Sequence, residues 1–142
     1  MALSSTGRVH WEGDLFGGSG VTSVDSGAAP PMEVTWKART EEHGGLTSPE
    51  ELIAAAHASC FAMAFSNTLA KNETPPASLD VAATLTFVPA EGITTSELEV
   101  TGVVEGISEE KFVELAEVAK VGCPVSKALA GNVEITLTAR LA

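Results

Sequence analysis

Two cysteines are the residues best able to do chemistry in this chain of 142 residues. Cys60 lies in SPEELIAAAHASCFAMAFS and Cys123 in AKVGCPVSKAL, 63 residues further on. A thiolate is a nucleophile and a thiol is not, so each residue's surroundings decide its use. Apolar neighbours suit Cys60 to a role as a small hydrophobe, and burial would raise its pKa. A helix dipole fades beyond the first turn, so a reactive Cys60 would need positive charge from elsewhere. Cys123 precedes Pro124 at a helix start, where free backbone N–H groups favour a thiolate; it is equally a tolerated cap residue. Together the two thiols, on separate helices of one small core, invite a reversible disulfide. Their separation excludes a CxxC motif, and two cysteines are too few for the framework of a small secreted domain. His57 is the only local addition to a metal site and zinc wants four ligands, so neither metal nor other cofactor is expected. His57 shares a face with Cys60 one turn away, as a proton acceptor or as a packed, hydrogen-bonded ring. Phe61, Met63 and Phe65 line either the core or an apolar substrate channel.

The elements that must position these groups follow from pattern. RVHWEGDLF, GVTSVD and MEVTWKA read as three strands, with Val34 and Trp36 on one face of the third. Ser48, Pro49 and Glu51 make a capping box that opens a long helix, expected to run to Lys71 and stop before Pro75-Pro76. Two strands follow, Val81–Val88 and Ser96–Glu105, the second with a bulge expected at Gly102. Ser108 caps a helix over 109–120 whose stripe is Phe112, Leu115, Ala116 and Ala119. A short third helix starts at Cys123 and Pro124, and Val133–Leu141 closes the chain as a strand. The order βββαββααβ argues an α+β fold in a single domain, 1–142, with residues 1–6 as a flexible N-terminus.

Composition narrows the function. Eight Lys plus Arg against nineteen Asp plus Glu give a net charge of −11, which repels phosphate backbones and anionic bilayers. Neither nucleic acid nor membrane is therefore an expected partner. No basic segment followed by an apolar run opens the chain, so a cytoplasmic address is the default. Leu52 to Leu69 is free of Asp, Glu, Lys and Arg, but it is Ala-rich and polar in places; it reads as a helix buried on most sides, in part by a second subunit.

The two cysteine motifs, with the opening GRVHWEGD, resemble the OsmC/Ohr family of peroxide-reducing proteins over essentially the whole chain. GCPVS and HWEGD are closer to the OsmC branch than to the organic-hydroperoxide-resistance branch. That second branch carries an active-site Arg between the first two strands, where this chain has GGSG. The resemblance implies an OsmC-like fold, antiparallel sheets around a long central helix bearing Cys60, in an intertwined homodimer. It implies a thiol-dependent peroxidase acting on organic hydroperoxides, and less well on hydrogen peroxide, without metal or haem. Cys60 would be peroxidatic and Cys123 resolving. Arg39 in WKART, matching the OsmC position near the end of the third strand, would stabilise thiolate and peroxide. Glu50 matches the carboxylate that orients this Arg, although it stands about 15 Å from Cys60 along one helix. Phe61, Phe65 and His57 are candidate substrate contacts. An external dithiol, a lipoylated protein in Ohr-type relatives, would reopen the disulfide. Two alternatives stand beside this reading: a dimer that binds an apolar ligand with purely structural thiols, and a thiol oxidoreductase acting on another electrophile.

Overall fold

The computed structural model describes residues 1–142, which form two compact units, Met1–Pro49 and Glu50–Ala142. In the first, strands β1 (Gly7–Glu12), β2 (Ser19–Val24) and β3 (Met32–Val34) form an antiparallel sheet in that order. β1 stops at Glu12 because Asp14 turns the chain: its carboxylate accepts from the Gly17 N–H at 2.7 Å and its carbonyl from the Gly18 N–H at 2.9 Å. Every residue of β1 is exposed, Val9 and Trp11 included.

The third strand is shorter than its sequence suggested. It ends at Val34, and Trp36–Thr40 form a short helix, α1. Thr35 is the cause. Its backbone is extended and its hydroxyl accepts from the Ala38 N–H at 3.1 Å, so it caps a run of good helix formers. Trp36 therefore does not share a strand face with Val34, and Arg39 belongs to a helix rather than to a strand end.

The second unit is built on α2 (Pro49–Lys71), uninterrupted over 23 residues. It ends as the paired prolines required. Glu73 takes a left-handed conformation (φ 62°), while the Glu73 and Thr74 N–H groups return to the Ala70 and Leu69 carbonyls, each at 3.0 Å. This is the one helix long and apolar enough to cross a membrane, judged by length and composition. Within the single chain it is buried along one stripe: His57, Phe61, Phe65 and Leu69, with Glu50 two turns earlier. Ala55, Ser59 and Met63 on the other faces are exposed.

That stripe packs with a second sheet, β4 (Ser78–Val88), β5 (Gly92–Val103) and β6 (Glu134–Leu141), in which β5 is central. β4 and β5 are antiparallel, but β6 lies parallel to β5. The expectation of purely antiparallel sheets is thus corrected. A parallel neighbour needs a crossover, and helices α3 (Glu109–Gly122) and α4 (Pro124–Leu129) provide it. On β5 the side chains alternate, Ser96, Leu98 and Val100 inward and Glu97 and Glu99 outward. The core unites Phe61, Phe65 and Leu69 of α2, Leu98 and Val100 of β5, Phe112, Ala116 and Ala119 of α3, and Cys123. Gly102 is not a bulge: it pairs in register with Leu79, and the ladder shifts instead between Thr86 and Phe87. A Cβ on Gly102 would lie 2.6 Å from the Phe112 ring, so the glycine is there to let that ring approach.

Candidate active site

Cys60 and Cys123 come from opposite ends of the second unit's sequence and meet in its core, both reduced. α2 carries Cys60 one turn beyond His57, half-buried. Cys123 is held at a corner, the last cap of α3 and the first of α4. Its N–H donates to the Ala119 carbonyl at 2.9 Å and its carbonyl accepts from the Lys127 N–H at 3.0 Å. Its side chain is 0% exposed. The thiols stand close enough to perturb each other's ionisation.

The two perturbations are opposite. Burial pushes the Cys60 thiol up and Cys123 adds to the rise, against an opposing pull from the Val125 N–H. Burial also acts upward on Cys123, but the Ser126 N–H, the Cys60 thiol, the Ser126 hydroxyl and the Val125 N–H together outweigh it and hold Cys123 below the ordinary thiol range. Two thiols this close titrate as a pair. Of the two, Cys123 is the one whose surroundings favour the thiolate. The Val125 amide, at the start of α4, faces both sulfurs. The stabilisation that α2 cannot give Cys60 so far from its own first turn is therefore supplied in part by another element.

The remaining expected residues are placed as follows. Glu50 is 6% exposed in the first turn of α2, about 15 Å along the helix axis from Cys60. Arg39, on α1 in the first unit, lies with its guanidinium carbon 5.9 Å from the centroid of the Trp36 ring, a cation–π contact. Phe61, Phe65 and His57 are each 0% exposed and belong to the core. Phe65 stacks at 5.6 Å on Phe61 and at 4.9 Å on Phe112. Both ring nitrogens of His57 are engaged, Nδ1 with Ser96 Oγ at 2.7 Å and Nε2 with Ser126 Oγ at 2.8 Å, so the ring is packed and has no free nitrogen for Cys60. Burial lowers its pKa.

Ser96, Ser126 and Val125 were not singled out from the sequence. The signals were present: Ser96 is the one polar residue among those fully buried on β5, and Ser126 stands three residues after the cap residue Cys123 at the start of α4.

Comparison with known proteins bears on this pair. The model of the OsmC-like protein family matches residues 42–138, and the peroxiredoxin OsmC of Escherichia coli is 38% identical over 144 residues, covering 99% of both chains. The chain belongs to the OsmC-like family. The organic hydroperoxide resistance protein OhrA of Bacillus subtilis is 36% identical over 93 residues, 64% of this chain and 65% of that one. The OsmC-like fold is also evident in solved structures. An organic hydroperoxide resistance protein OsmC from Legionella pneumophila superposes with a TM-score of 0.76 at 22% identity, covering 99% of this chain and 98% of that one. OhrB of Bacillus subtilis gives 0.68 at 25% identity, covering 95% and 98%.

Proposed function

We propose that this OsmC-like chain is a thiol-dependent peroxidase that reduces organic hydroperoxides through Cys60 and Cys123. The observation that carries the reading is the contrast between two thiols that touch: Cys60 is half-buried and open to a small substrate, while Cys123 is fully enclosed. The Cys60 thiolate attacks the distal peroxide oxygen, the O–O bond breaks, and the departing alkoxide takes a proton to become an alcohol. Cys60 is left as a sulfenic acid. The Cys123 sulfur displaces its hydroxyl as water, forming a disulfide. An external dithiol then restores both thiols and is itself oxidised.

Arg39 is assigned the stabilisation of the Cys60 thiolate and the peroxide, and Glu50 the orientation of Arg39. Their match to family positions supports both assignments. A guanidinium keeps its charge when partly buried, and so can offset the rise that burial imposes on Cys60. The functional unit is a homodimer. The support is apolar surface left open in one chain: Val9 at 61% and Phe16 at 78% in the first unit, and Met63 at 72% on α2. The reaction is placed in the cytoplasm, where dithiol reductants are maintained.

One experiment tests the chemistry. Reduced protein is mixed with one equivalent of cumene hydroperoxide and the free thiols are counted. Wild type should lose both thiols, Cys60→Ser should lose none, and Cys123→Ser should hold a sulfenic acid that dimedone captures. Equal, slow oxidation of all three proteins would overturn the proposal.

A further inference from the structure

The mechanism above makes no use of three polar side chains in the core. Ser96, His57 and Ser126 are 0%, 0% and 3% exposed and come from three elements, β5, α2 and α4. A neutral imidazole donates at one nitrogen and accepts at the other, so this chain of bonds has a direction that can reverse. It ends beside Cys123. Cys123 is the cap residue of α4 and Ser126 its third residue, and the Ser126 hydroxyl is among the groups that lower the Cys123 pKa.

Enclosure of Cys123 creates a need for such a chain. A thiol that must act as a nucleophile has to release its proton, and a sulfur with no exposed surface cannot release it to water. We propose that Ser126 and His57 are positioning residues that hold the Cys123 proton during disulfide formation, with Ser96 orienting the ring. The inference rests on the peroxidase reading.

The step balances as follows. The S–H proton of Cys123 passes to Ser126 Oγ while the Ser126 hydroxyl proton passes to His57 Nε2, with Ser96 Oγ accepting from Nδ1–H. The Cys123 sulfur attacks the sulfenic sulfur of Cys60; the S–S bond forms, the S–O bond breaks and hydroxide departs. The proton on His57 returns through Ser126 to that hydroxide, giving water. Sulfenic sulfur is reduced and Cys123 is oxidised, so no outside oxidant is required. The low proton affinity that burial gives His57 suits it to return the proton rather than keep it. Other ionisable groups near the ring are Cys60 and Glu50 on its own helix and Cys123 itself. β5 turns Glu97 and Glu99 to solvent, Lys127 of α4 is exposed, and α3 presents Phe112, Ala116 and Ala119.

The test is a single turnover with cumene hydroperoxide from pH 5.5 to 8.5. Dimedone-reactive sulfenic acid and disulfide are followed separately in wild type, Ser126→Ala, Ser126→Thr and His57→Gln. In Ser126→Ala and His57→Gln, sulfenic acid should accumulate and its conversion to disulfide should slow about tenfold or more near pH 6, the slowing easing as pH rises, as expected for loss of a proton acceptor. Ser126→Thr keeps the hydroxyl and should restore most of the rate. In a Cys60→Ser background, thiolate absorbance near 240 nm should place the Cys123 midpoint higher once Ser126 is Ala. Unaltered conversion and pH profile in Ser126→Ala overturn the relay, as does a Ser126→Thr protein as slow as Ser126→Ala. Absence of any dimedone adduct in Cys123→Ser overturns the peroxidase reading itself, a distinct result.

Discussion

Gly102→Ala adds one methyl group where the core has least room for it. The new Cβ would stand 2.6 and 2.7 Å from two Phe112 ring atoms and 3.0 Å from Leu79 Cδ2, against an ordinary carbon separation of roughly 3.5–4.0 Å. The ring cannot easily retreat, because Phe112 is 0% exposed and Phe65 lies 4.9 Å from it. Overpacking of this kind costs about 1–3 kcal/mol. Alanine restricts the unfolded chain, which offsets about 0.4–1 kcal/mol. The net loss is about 0–2.6 kcal/mol, a fall in Tm of up to roughly 9 °C. Gly122→Ala is the control: it lies in α3 with no atom within 4 Å of the added carbon, so it should stabilise by about 0.5–1 kcal/mol. Thermal melts followed by circular dichroism compare the two. A Gly102→Ala protein melting with or above Gly122→Ala would refute the claim that Phe112 is pinned against the β5 backbone.

Two further outcomes are expected. Arg39→Ala should slow peroxide consumption about a hundredfold or more with the far-ultraviolet spectrum unchanged, because the role proposed for it is electrostatic. Initial rates with dithiothreitol as reductant measure this, and a full rate would move the required charge elsewhere, to Arg8 or Lys127. Stability should also fall in acid through His57. Its folded pKa lies below the ordinary value near 6.5, so the unfolded chain takes up the proton first. Its contribution is complete above about pH 6.5 and declines, by at most about 1.4 kcal/mol per pH unit, as pH falls through the lower folded value. Urea titrations at pH 7.5 and 5.5 should show a larger loss for wild type than for His57→Gln, and equal losses would show that burial leaves the ring's titration unaltered.

Local chemistry that the chain writes at a single position was readable in advance. Pro49 opened α2, Pro75-Pro76 closed it, and Cys123-Pro124 began α4. What the chain writes only through distant neighbours was not. Thr35 looked like a strand residue because its β-branched side chain suits both a strand and a cap, and the capping bond to Ala38 decides between them. Gly102 looked like a bulge because nothing local announces a phenylalanine arriving from α3. The parallel pairing of β6 depends on where α3 and α4 return the chain, which no alternation within β6 reveals. His57 read as ambiguous for the same reason: its two serines lie 39 and 69 residues away.

On the roles proposed for them, the unequal enclosure of the two sulfurs divides the two steps between them. A peroxide can reach only a sulfur with some exposed surface, and Cys60 has it while Cys123 has none. In that proposal Cys123 meets the sulfenic acid of Cys60 rather than a peroxide, in surroundings that lower its pKa. The corner between α3 and α4 is thus part of the proposed chemistry: it buries Cys123 and surrounds it with the amides and the hydroxyl that lower its pKa.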